Sequence, residues 1–151
     1  MSEILNILNE VKYALENDSE LSLVNFTLSF PNLCVENPLT KPNVVIGVKG
    51  ININSTSFDG YLSTEDNDGN ECFGNLGKFD ISLDIYMPEK NGGIKCFNIF
   101  YKIYKTLKNS NNFDFNIIGF SSKEVTYDQK VEAFILKSTM TVESVLIFNE
   151  N

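Results

Sequence analysis

A chain of 151 residues is the size of one domain, enough to bury about two thirds of its unfolded surface in a single core, and 1–151 reads as one unit. Hydrophobic residues make up 42%, with 12 Phe and 6 Tyr, which excludes a disordered chain. The 12 basic residues, all Lys, stand against 20 acidic ones, and a net charge of −8 excludes nucleic acid as the main, sequence-specific partner, because phosphate binding draws on clustered positive charge.

Ile4, Leu8, Val11 and Leu15 recur at three- and four-residue steps, with Leu5 and Ile7 beside them. The spacing predicts an amphipathic helix over 2–17 with Ser2 as its N-cap. Glu3, Glu10 and Glu16 interrupt this stretch, so it does not read as a signal peptide, and no apolar run reaches the length of a membrane span. A cytosolic product with no membrane partner is expected. From Leu23 the period becomes two: Val24, Phe26, Leu28 and Phe30 alternate with Asn25, Thr27 and Ser29 as a half-buried strand that Pro31 closes.

Three prolines between Pro31 and Pro42 predict an extended loop. Val44 to Ile53 follows as a second strand, bulged at Gly47 or Gly50. A polar excursion, 54–75, leads to a third strand in which Phe79, Ile81, Leu83, Ile85 and Met87 alternate with polar residues. Pro88, Asn91, Gly92 and Gly93 break it. Ile94, Phe97, Phe100 or Tyr101, Tyr104 and Leu107 then trace a second helix to about Lys108, with Lys95, Lys102, Lys105 and Lys108 on a solvated face.

Phe113, Phe115, Ile117 and Val125 mark a fourth strand with a bulge near Gly119, and 129–148 is a fifth, with Phe134, Leu136, Met140, Val142, Leu146 and Phe148 on one parity. The expected fold is α+β: a mostly antiparallel sheet with two helices packed on one face, in the order α-β-β-β-α-β-β. Val131, Ala133, Ile135, Val145 and Ile147 give the last strand a second apolar parity. A second apolar face in so small a domain asks for a neighbouring copy to cover it, so these residues are interface candidates.

The sequence contains no His, which removes the commonest general base and metal ligand, and Cys34, Cys72 and Cys96 match no disulfide framework or zinc pattern. No phosphate-binding glycine motif is present either. No catalytic residue, metal site or cofactor is expected, and the chain does not read as an enzyme. The run Thr64, Glu65, Asp66, Asn67, Asp68, Gly69, Asn70, Glu71 has the look of a calcium loop, but aligning Gly69 with the loop glycine puts Asn75 where a bidentate acid belongs. A solvated acidic turn is the competing reading, and the same acids lack the pocket that glycoside hydrolysis needs. Phe58, Tyr61 and Phe73 in this excursion either anchor a partner or fold back on the sheet.

An N-terminal helix, a long-loop strand pair, a strand ending in Ile85, Tyr86, Met87, Pro88, the Gly92-Gly93 turn, a second helix and a final long strand pair together resemble the small tail terminator (tail completion) proteins of phages and contractile phage-tail-like bacteriocins. The resemblance covers the whole chain and implies a ring, typically of six subunits, that caps the tail tube, stops its polymerisation and in contractile systems also holds the last sheath ring. Tube and sheath proteins would be its partners, with assembly in the bacterial cytoplasm into a virion or tail-like particle. The acidic balance suits a tube that carries no genome. Tube, head-tail connector and baseplate subunits share this strand pattern, and a calcium- or carbohydrate-binding module is the reading from outside the structural class.

Overall fold

The computed structural model describes residues 2–29, 39–54, 61–63, 72–110 and 113–147. Helix α1 (Ser2–Glu16) is followed by strands β1 (Asn25–Leu28), β2 (Asn43–Asn54), β3 (Tyr61–Ser63) and β4 (Cys72–Pro88), helix α2 (Lys95–Lys108), and strands β5 (Asn116–Asp128) and β6 (Ala133–Ile147). The main sheet runs β1-β2-β4-β6-β5, and the short β3 pairs with the start of β4. The class is α+β, as expected, with β3 as an addition inside the polar excursion.

All pairs in the sheet are antiparallel except β1 and β2, which are parallel. Consecutive strands were expected to pair antiparallel. Here residues 29–42 separate them, and a connection of that length can carry the chain back to the end where β1 began, which a tight turn cannot. The expected bulges occur as register shifts between Val48 and Gly50 and between Ile117 and Gly119, with a third between Ser122 and Val125.

Alternation along β4 fixes which face is core. Ile81, Leu83, Ile85 and Met87 are all buried and lie in one layer with Val44 and Ile46 of β2 and Leu136, Met140 and Val142 of β6. Ser138 sits at the same parity within this layer, and its hydroxyl donates to the Leu83 carbonyl, so the one polar side chain there is satisfied. Helix α1 packs over β1 and β2 and α2 over β4, β6 and β5. From α1 the core receives Ile7, Leu8, Val11 and Leu15.

The buried stripe of α2 is Cys96, Ile99, Ile103 and Leu107; of the expected set Ile94, Phe97, Phe100 or Tyr101, Tyr104 and Leu107, Leu107 is buried and Phe100 packs partly buried against the core. Both sets have helical spacing. The narrower aliphatic side chains face the sheet, leaving Ile94 71% exposed and Phe97 and Tyr101 also exposed. Tyr104 packs edge-on against Phe120 of β5 at 5.2 Å, and Lys105 lies 5.5 Å over the Tyr101 ring. Asp18, just after α1, ties the helices together: Oδ2 accepts from the Thr106 hydroxyl at 2.5 Å and Oδ1 from the Glu20 backbone N–H at 2.8 Å.

The last strand begins later than its alternation predicted. Residues 129–132 form a turn in which Glu132 has φ 51° and the Lys130 N–H donates to the Asp128 carboxylate at 2.8 Å. Val131 is therefore half-buried in a turn and not on a strand face, which corrects its assignment to the second parity of β6. Ala133 and Ile135 are on that parity. Both are buried by the chain itself, Ile135 at 7% exposure, so neither needs a neighbouring copy to cover it.

Candidate interaction surfaces

The helix-free face of the sheet carries polar pairs. Thr141 donates to Asp80 at 3.0 Å, and Thr27 donates to the Asn43 side-chain oxygen at 3.1 Å. Burial pushes the Asp84 carboxyl above its ordinary value, while the charges of Lys137 and Lys49 pull it back. These polar pairs share the face with buried apolar side chains, Val45 opposite Asp84 and Ile135 opposite Tyr86.

Exposed apolar side chains occur at the far end of the sheet, as they do at Leu23, Ile94 and Ile118. Ile51 and Ile53 of β2 are about half exposed, and Val145 of β6 is 48% exposed. Strand length explains the exposure of Ile51 and Ile53, which lie on the helix-covered side with Phe79. The 17 residues of β4 span about 55 Å, whereas helices of 15 and 14 residues reach only about 22 Å each. Helices this short cannot roof the whole sheet.

At that end the sheet also has a step. Strand β5 starts at Asn116, opposite Glu143, so β6 continues from Ser144 to Ile147 paired only with Gly74 to Gly77 of β4 among the described residues. Beside this free edge lies a groove of about 670 Å³ lined by Glu3, Asn6, Ile7, Asn9, Glu10 and Tyr13 of α1, Asp114 and Phe115 ahead of β5, and Leu76, Asn116, Glu143, Ser144 and Val145 of the sheet. Its lining contains four carboxylates and no lysine. The Glu10 carboxyl is held above its ordinary value, first by burial and then by the charge of Asp114, and a hydrogen bond from the Asp114 backbone partly offsets this. Its Oε2 is buried with no hydrogen-bond partner among the described residues.

Of the residues singled out in the sequence, Phe58 and the acidic run 64–71 lie outside the described residues. Tyr61 and Phe73 are brought opposite each other by the β3–β4 pairing. Ile147 ends β6 opposite Gly74. Ala133 and Ile135 are internal, and Val145 is the described member of that set that stands exposed on a strand. Sequence reasoning put Ile51 and Ile53 on the second strand without marking them as exposed, and did not join Glu10 to Asp114. The mismatch between strand and helix lengths was the available signal for the first; nothing local signals the second, because the two residues meet only in the fold.

Among the described residues no group of three or more His, Cys, Asp or Glu side chains is placed to hold a metal ion, and no helix is long and apolar enough to cross a membrane. Cys96 is a free thiol, and burial pushes its pKa up to about 11. No protein-family model matches the chain, and no curated protein matches it in sequence.

Proposed function

We propose that this chain is a structural ring subunit that caps the end of a phage or phage-like tail tube and terminates tube and sheath polymerisation, with six copies in the ring and the tube and sheath proteins as neighbours. The particular role comes from the resemblance in layout. The observation that carries the subunit reading is the far end of the sheet, where among the described residues Ile51 and Ile53 stand about half exposed on the 12-residue β2. Apolar residues repeated along a strand end stabilise association by about 25 cal/mol per Å² removed from water, and a closed ring supplies such cover to every copy.

The test is electron microscopy of particles from a producing strain that lacks this protein. Tubes or sheaths of uncontrolled length are expected. Absence of tubes would reassign the chain to the tube itself, and particles of normal length and composition would refute the capping role. In purified protein, Ile53→Glu should reduce ring mass by light scattering while leaving the circular dichroism spectrum unchanged.

A further inference from the structure

We infer that the free edge of β6 at Ser144 to Ile147 is a docking site for an extended peptide segment bearing lysine or arginine, which adds as a strand in the line of β5 and places its cations among Glu10, Asp114 and Glu143. This edge lies at the same end of the sheet as Ile53, with β4 between them, and the inference does not depend on the ring.

The first support is the backbone. Where β5 has not yet begun, no strand among the described residues pairs with β6 from Ser144 to Ile147 on the side away from β4. Free edges are ordinarily blocked by charge, proline, bulges or shortness. The two outer strands follow that rule: β1 is four residues long, and β5 carries two bulges with Lys123 and Glu124 at the second. The segment Ser144-Val145-Leu146-Ile147 carries no charge, proline or bulge; it is as short as β1 but continues a strand of 15 residues, and three of its four residues favour a strand or an apolar contact. It is a template for strand addition.

Charge selects the occupant. The groove beside the edge has an apolar floor in Ile7 and Phe115 and a rim of carboxylates, and Glu10 and Asp114 already oppose each other there. A cationic side chain relieves that opposition. Self-pairing of the same edge in two copies would bring two such rims together and add to it, so a second copy is disfavoured. A bare metal ion is not the fit either, since these carboxylates form no metal-ligating group.

The test uses the full chain and a fluorescein-labelled peptide of alternating lysine and threonine, followed by anisotropy at low salt. The lysine peptide should bind and shift the backbone amide resonances of Ser144, Val145 and Leu146. Its glutamate counterpart should not bind, and N-methylation of alternate backbone amides should weaken it about tenfold through lost ladder hydrogen bonds. Glu10→Gln with Glu143→Gln should weaken binding about fivefold, and added salt should weaken it further. Equal binding of the N-methylated peptide, amide shifts confined to other elements, or no binding of the lysine peptide overturns the inference. So does a concentration-dependent dimer abolished by Val145→Pro, which would give the edge to a second copy.

Discussion

Replacing Ile135 with glutamate separates a reading from alternation alone from one that knows the packing. Alternation put this side chain on an outer face awaiting a neighbour, where a charge would disturb association and spare the fold. In the structure Ile135 retains 7% of its exposure and lies between Tyr86 of β4 and Thr126 of β5. Truncating a buried isoleucine costs about 2–5 kcal/mol, and the glutamate adds desolvation of a carboxylate, with Asp84 nearby on the same face. A loss of at least about 3 kcal/mol is expected, a large part of the roughly 5–15 kcal/mol that a domain possesses. For a chain of this size that lowers Tm by about 6–12 °C. Thermal denaturation followed by circular dichroism, at concentrations too low for association, reads this directly. A Tm within about 2 °C of the parent would refute the burial argument and return Ile135 to the interface.

Other consequences follow from single groups. Cys96 is buried and its thiol is pushed up to about 11, so in native protein at pH 8 its peptide should resist iodoacetamide and become labelled only as the chain unfolds; rapid native labelling seen by mass spectrometry would contradict the packing of α2. The Asp18 carboxyl is held below its ordinary value, first by the Thr106 hydroxyl and then by the Glu20 backbone N–H. Its folded pKa is therefore below the unfolded one, and its contribution to stability is present above the unfolded value near 3.8 and lost as pH falls through the folded value. Asp18→Asn should lower Tm at neutral pH, with the gap closing as pH drops below about 4; a gap independent of pH would assign the loss to something other than this charge.

Much of the fold was legible because its periods are clean. Phe79 to Met87 alternates without a break over the strand that pairs with both central neighbours, and Leu8, Val11 and Leu15 leave one choice of helix face. Gly119 announced its bulge by being a weak strand residue among strong ones, whereas Gly47 and Gly50 were equal candidates in β2 until the register put the shift between Val48 and Gly50. Helix α2 was less determinate. Two apolar stripes share its surface, and the sheet below, not the spacing, decided that Ile99 and Ile103 go in and Phe97 and Tyr101 stay out. The turn before Ala133 was hidden because Val131 keeps the alternation going while Glu132 adopts a left-handed backbone that no local residue type marks.

The sequence by itself determined the α+β class, two amphipathic helices, long alternating strands and an absence of histidine, since hydrophobic period and composition are properties of neighbouring residues. Only the tertiary structure decided which apolar residues lack cover, because cover comes from elements distant in the chain: it closed over Ile135 and Ala133 and left Ile51, Ile53 and Val145 open. It also created the step beside Ser144, with Glu10 and Asp114 facing one another across it. That juxtaposition depends on where β5 begins relative to β6, a matter of register between strands, and no period within one segment encodes it.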